Sequence, residues 1–150
     1  MKARIAMLLL AAGMSFTSAM TSEAFAQTMN VYKSASCGCC KLWIRHVEKA
    51  GFTARSQDLA TGQLARLKAD AKLAPDLQSC HTAKVDGYVI EGHVPAADIR
   101  RLLAEKPDAI GLTVPGMPLG SPGMEPGDDK EPYEVLLVKR DGTTEVFSRY

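Results

Sequence analysis

The 150-residue chain has no appreciable excess of charge: 18 Lys and Arg stand against 17 Asp and Glu, a formal net charge of +1. That excludes a polybasic nucleic-acid binder and an acidic-tail protein. With 46% apolar and 23% charged residues the composition is also not that of a disordered chain. Its apolar runs are all shorter than the roughly 20 residues that a membrane-spanning helix needs. There is no phosphate-cradling glycine loop, no H-E-x-x-H and no G-x-S-x-G, and no internal repeat. Cysteine and histidine are scarce, at four and three, so their placement carries the information.

The first 26 residues have the three-part plan of a secretory signal. Lys2 and Arg4 precede an apolar run from Ile5 to Ala12, and the segment closes on Ala24-Phe25-Ala26, an A-x-A cleavage box. Cleavage after Ala26 is expected. It takes away Lys2, Arg4 and Glu23 and leaves 16 basic and 16 acidic residues over residues 27–150. That length fits one domain with a real core. Export also places all four cysteines where thiols tend to be oxidised.

Along residues 27–150 the pattern alternates strands and helices. Met29–Ser34 reads as a strand; Cys40, Trp43, Ile44 and Val47 fall on one helical face, with Gly51 as the stop. Thr53–Asp58 is a weak strand. Thr61 is the expected cap of a second helix bearing Leu64, Leu67 and Ala71. Two strand-like runs flank Asp86-Gly87, a hairpin signal. Pro95 suits the first turn of a third helix with Ile99, Leu102 and Leu103 inward. From Pro107 to Pro132, 11 of 26 residues are Gly or Pro, so no regular element is expected there. A loop that long is functional or disordered, and closure over a site is the expectation. Tyr133–Lys139 and Thr143–Phe147 around Asp141-Gly142 read as a terminal hairpin. The order predicts an α/β fold: a thioredoxin-like sandwich, with a central mixed β-sheet, helices on its faces and an added C-terminal β-hairpin.

The chemistry concentrates in Cys37-Gly38-Cys39-Cys40, three thiols within four residues at a strand-to-helix junction. A helix beginning near Cys39 turns its free N–H groups toward this loop and favours thiolates, and Lys33 and Lys41 are expected to add to that. Cys37 should be the more exposed thiol and Cys40 the more buried. Three readings stand. A structural disulfide framework has one comfortable full pairing, Cys37–Cys40 with Cys39–Cys80. A thiol–disulfide oxidoreductase would use Cys37 and Cys40 as its C-x-x-C, although Cys39 would compete in the exchange. A soft-metal site suits closely packed thiolates, which can bridge several Cu(I) ions, whereas C-x-C-C does not match one tetrahedral zinc. The spacing favours the metal, copper first.

Other residues add soft donors. Cys80-His81 joins a fourth thiol to an imidazole before a strand, and His93 stands at a helix start. Met117 and Met124 lie in the Gly/Pro-rich segment and are two of the three methionines after Ala26. His46, about 10 Å along the helix from Cys39, is too far to share an ion with the cysteine loop. Trp43 is most simply a core residue, and one that would also shield the site.

Taken together, Cys37-Gly38-Cys39-Cys40 with Trp43, Ser79-Cys80-His81-Thr82-Ala83, Glu91-Gly92-His93-Val94-Pro95 and the stretch Val114–Glu125 resemble the CopG-type copper-resistance proteins over about residues 29–147. The resemblance implies a thioredoxin-like fold, a periplasmic address and copper at the cysteine cluster; the packed thiolates themselves lead to the expectation of more than one ion. The resemblance also implies interconversion of Cu(I) and Cu(II) rather than dithiol exchange, that is, a copper oxidoreductase or a non-enzymatic copper binder. The ligand set is Cys37, Cys39, Cys40 and Cys80, completed from His81, His93, Met117 and Met124. Expected partners are copper ions and a periplasmic copper exporter or chaperone.

Overall fold

The computed structural model describes residues 27–150. The expected signal peptide and its cleavage point fall outside the described residues. The elements run β1 (Thr28–Lys33), α1 (Gly38–Lys49), β2 (Thr53–Asp58), α2 (Thr61–Asp70), a single 3₁₀ turn (Pro75–Leu77), β3 (Thr82–Val85), β4 (Tyr88–Glu91), α3 (Ala96–Glu105), β5 (Ala109–Thr113), β6 (Glu134–Lys139) and β7 (Thr144–Arg149). All seven strands form one mixed sheet in the order β2-β1-β3-β4-β5-β6-β7. β1–β2 and β4–β5 are parallel and the other four pairs antiparallel. The α/β architecture expected from the sequence is therefore present, and the C-terminal hairpin extends the sheet itself.

The period-2 alternation of strand side chains sorts the two faces. Ala83, Val85 and Ile90 join Trp43 and Val47 of α1 and Ile99 and Leu102 of α3 in one apolar core. On the opposite face Val89 and Val138 pack with Leu73 and Leu77, which follow α2. Thr82, Lys84 and Glu91 share that second face by the same alternation, so a carboxylate and a threonine lie beneath α2. The β3–β4 turn has Asp86 at φ 47° and Gly87 at φ 82°, as a two-residue hairpin with primed-turn geometry needs.

Three local expectations are corrected. The segment from Pro107 to Pro132 contains a strand, β5: only Gly111 interrupts Ala109–Thr113. It sits where the register with β6 shifts, and its backbone lies so close to β4 that a Cβ would fall 1.7 Å from the Val89 carbonyl oxygen. There glycine permits the strand rather than breaking it. Thr61 is not the cap of α2; Ala60 is, and Gln63 reaches back to accept its N–H at 3.1 Å. Lys33 is committed to Asp58 at 2.5 Å, so its charge is already partnered rather than free to favour the cysteine thiolates.

Strand direction decides where the loops collect. β1, β4 and β5 run the same way, and β3 runs against them, so the ends of β1, β4 and β5 and the start of β3 lie together at one end of the sheet. The cysteine loop, Gly92-His93, the Val114 segment and Cys80-His81 leave the sheet there. Ligand sites in open α/β sheets form at the carboxyl ends of strands for this reason.

Candidate metal centre

Cys37 is the N-cap of α1; its sulfur accepts the Cys40 N–H at 3.2 Å. Cys37 is half-buried and Cys40 fully buried, the order that the helical stripe implies. The two are joined as a disulfide with a Cα separation of 5.4 Å. Cys39 and Cys80 are free thiols. The Cys39 sulfur lies 3.5 Å from Cys37 and 3.8 Å from Cys80, and Cys80 lies 3.5 Å from Cys40. The four sulfurs thus form one cluster, in which each thiol faces one end of the bridge.

Cys80 also meets the imidazoles. Its sulfur is 3.3 Å from His81 Nδ1 and 3.1 Å from His93 Nε2. His93 Nδ1–H donates to the Pro122 carbonyl at 2.8 Å, which leaves the Nε2 lone pair aimed at Cys80. A second partner of this kind is how proteins orient a metal-binding histidine. His81 is fully buried, 4.4 Å in centroid distance from Trp43 and 5.2 Å from His93. Its Nε2 has no hydrogen-bond partner among the described residues. A buried ring nitrogen without a partner is costly, and it marks this histidine as one not held for packing alone. Among the described residues, ligand atoms of Cys37, Cys39, Cys40 and Cys80 lie within 4.8 Å of one another, as do those of Cys80, His81 and His93. Cys80 belongs to both groups.

Electrostatics keeps the protein-only state neutral. Burial, reinforced by Cys39 beside it, pushes the Cys80 thiol up to about 12. Burial holds His81 well below the ordinary imidazole value, and the neighbouring His93 and Lys68 lower it further. Burial lowers His93 too, against the Pro122 carbonyl and Glu125. Neutral imidazoles are ready ligands, and a soft cation displaces the thiol proton as it binds.

The Gly/Pro-rich segment lies across this end of the sheet. Val114 N–H donates to Glu91 O and Gly116 N–H to Gln78 O, at 3.0 and 3.1 Å. Pro122 holds His93, and Gly123 sits so close to α1 that an added Cβ would fall 2.8 Å from the Cys39 carbonyl oxygen. Met124 follows at once and is half-buried, whereas Met117 is 51% exposed. The eight residues singled out in the sequence thus divide into six whose donor atoms meet and two methionines on the covering loop. His46 lies apart: its Nε2 accepts the Ala96 N–H at 3.0 Å and caps α3.

Sequence reasoning missed one feature of the site. Glu91 is fully buried and paired with Lys68, whose side chain is 6% exposed. The carboxylate also accepts the Ser79 N–H at 2.7 Å and the Thr82 hydroxyl at 2.6 Å. Burial pushes its carboxyl up, opposed by Lys68, Thr82 and the Ser79 N–H. The available signal was Lys68 itself, which falls at i+4 from Leu64 on the inward stripe of α2.

Fold and cluster define a class: an open α/β sheet protein with a compact set of thiols and imidazoles at one end of its inner strands. Two solved structures, forms 2 and 1 of the copper resistance protein copG, are similar to this chain at 42% and 43% identity. They cover 83% and 82% of this chain and 98% and 96% of their own, each with a TM-score of 0.77. A family described as a protein of unknown function, DUF411, matches residues 77–124. No curated protein matches the chain. The chain belongs to the CopG family of copper resistance proteins.

Proposed function

We propose that this chain is a periplasmic copper-binding protein of copper resistance, with Cys37, Cys39, Cys40, Cys80, His81 and His93 as its ligands and Met117 and Met124 as thioether donors from the loop above. The observation that carries this reading is the position of Cys80. One sulfur has two other cysteine sulfurs at 3.5 and 3.8 Å and two imidazole nitrogens at 3.1 and 3.3 Å. A thiolate so placed can bridge two ions, one facing sulfur and one facing nitrogen, so more than one copper per chain is expected. Thiolate and thioether select Cu(I), and imidazole accommodates Cu(II) as well. This mixed set supports interconversion of the two states.

Full use of the four sulfurs requires the Cys37–Cys40 bridge to be reduced, which takes two electrons and frees two thiolates. The oxidised form keeps Cys39, Cys80, His81 and His93 as donors. The copper resistance proteins that the chain resembles support copper as the metal. The opening run β1-α1-β2-α2-β3-β4-α3 supports reading the fold as thioredoxin-like. The N-terminal signal pattern supports export, and delivery would be to a periplasmic exporter or chaperone. No helix among the described residues is long and apolar enough to cross a membrane.

The bridge itself favours a second reading, a thiol–disulfide oxidoreductase. Cys37–Cys40 is a paired C-x-x-C, and the Cys80 thiol lies 3.5 Å from Cys40. Cys39, 3.5 Å from Cys37, would compete in any exchange with substrate.

Anaerobic copper titration of the reduced protein, with metal counted and thiols assayed, tests the first reading. More than one copper per chain is expected, falling when Cys39 and Cys40 are replaced by Ser. Less than one copper, or binding indifferent to those replacements, overturns it. Exchange with a disulfide substrate that needs Cys37 and Cys40 but tolerates Cys39→Ser would establish the second.

A further inference from the structure

Two ligands of the proposed centre, Cys80 and His81, come from a four-residue segment that is neither helix nor strand until Thr82. Irregular backbone does not hold a ligand to a few tenths of an ångström unless something else fixes it. Backbone bonds from Gly92 and Gly116 hold His81 O and Gln78 O, and one carboxylate spans the segment from end to end. Glu91 Oε1 accepts the Ser79 N–H at one end of the segment, and Oε2 accepts the Thr82 hydroxyl at the other. Lys68 Nζ pairs with Oε1 and donates to Thr82 Oγ1 at 3.1 Å, closing a ring of three side chains.

The next two residues complete the arrangement. Gly92 N–H donates to His81 O at 3.0 Å, and its φ of 72° admits the segment so closely that a Cβ would fall 2.5 Å from Ser79 Cβ. His93, the third donor around Cys80, follows directly.

We propose that Glu91, charge-balanced by Lys68, is a positioning residue of the metal centre: its two oxygens hold both ends of the Ser79–Thr82 segment, so that Cys80, His81 and His93 stand in binding geometry before an ion arrives. The proposal rests on reading the cluster as a copper site. Its logic is that of buried ion pairs generally. Such a pair adds little stability compared with apolar residues of the same volume; what it supplies here is two fixed acceptor oxygens, which apolar residues would not.

The ring separates charge from span, and this makes it testable. In a Lys68→Met background both charges can be removed while the shape is kept. Glu91→Gln retains an acceptor for the Ser79 N–H and a partner for Thr82, whereas Glu91→Leu has neither. Each doubly substituted protein is reduced and titrated anaerobically with cuprous ion against a chromophoric chelator, and its thiolate-to-copper absorption is recorded. K68M/E91Q is expected to bind within about threefold of the unsubstituted protein with the same spectrum. K68M/E91L is expected to bind 10–100-fold more weakly, the range for groups that orient metal ligands, with a shifted spectrum. Should K68M/E91L not fold, Thr82→Val, which removes one anchor only, takes its place with a smaller loss in the same direction.

Equal affinity and identical spectra for the Gln and Leu proteins overturn the positioning role, whatever their melting temperatures. Absence of copper from the unsubstituted protein overturns the copper reading and the positioning role with it. The two failures are read on different samples.

Discussion

Gly123 shows how a residue without a side chain helps build the site. Its φ is 87°, and an added Cβ would lie 2.7 Å from Trp43 N and 2.8 Å from Cys39 O. Both the conformation and the space require glycine. The contact seats the loop on the first turns of α1 while the preceding residue, Pro122, holds His93. Gly123→Ala is expected to cost about 1–3 kcal/mol in denaturant unfolding, from strain that nothing relieves. Gly127, four residues on with open space around its Cβ position, serves as the control. Gly127→Ala should change stability by less than about 0.5 kcal/mol, as surface substitutions do. A similar loss at both positions would mean that the contact with Cys39 and Trp43 does not matter.

Among the elements, α3 starts without a capping side chain of its own, because Pro95 occupies the N-cap. The missing acceptor comes from α1, as His46 Nε2. Only the neutral imidazole can accept, and a cation at the positive end of a helix is disfavoured. Burial accordingly lowers the His46 pKa below 6.5, with Lys49 acting in the same direction and Glu125 against it. Unfolded, the same histidine protonates near 6.5. The unfolded state therefore takes up the proton first: the contribution of His46 is intact above pH 6.5 and is lost as pH falls below it. His81 and His93 are lowered in the same way and contribute with the same sign. The difference between the parent and His46→Leu, which has no acceptor for the Ala96 N–H, isolates the cap. It should be about 0.5–2 kcal/mol at pH 7.5, the usual value of a cap, and smaller at pH 5. A difference independent of pH would remove the imidazole from this role. Periodicity made α1 and α3 legible from the sequence, since each buries one stripe, and the Asp86-Gly87 and Asp141-Gly142 turns marked both hairpins. It did not reveal β5, whose glycine resembles a breaker until its approach to Val89 is seen. Nor did it reveal the His46 cap, which joins residues 50 positions apart.

On the scale of the whole molecule, the centre draws its donors from the loop after β1, the lead-in to β3 and the end of β4, with the segment after β5 laid across them. The cysteines and histidines were legible in the sequence because soft donors are rare in this chain and clustered. The Glu91–Lys68 ring was not, because an ion pair leaves no pattern when its two halves lie 23 residues apart. An ion held by residues so spread along the chain can bind only the folded form with full strength. Copper should therefore stabilise the reduced protein by mass action, by about 2.7 kcal/mol when free copper is 100 times its dissociation constant. Unfolding midpoints measured anaerobically against chelator-buffered copper should rise with the logarithm of free copper. Cys80→Ser removes the sulfur common to both donor groups and should flatten that dependence far more than Cys37→Ser, which touches one group only. Equal flattening by the two substitutions would show that the imidazoles contribute nothing to the bound ion. A midpoint that does not respond to copper in the parent protein would mean that the cluster, however suitable its donors, does not couple metal to the fold.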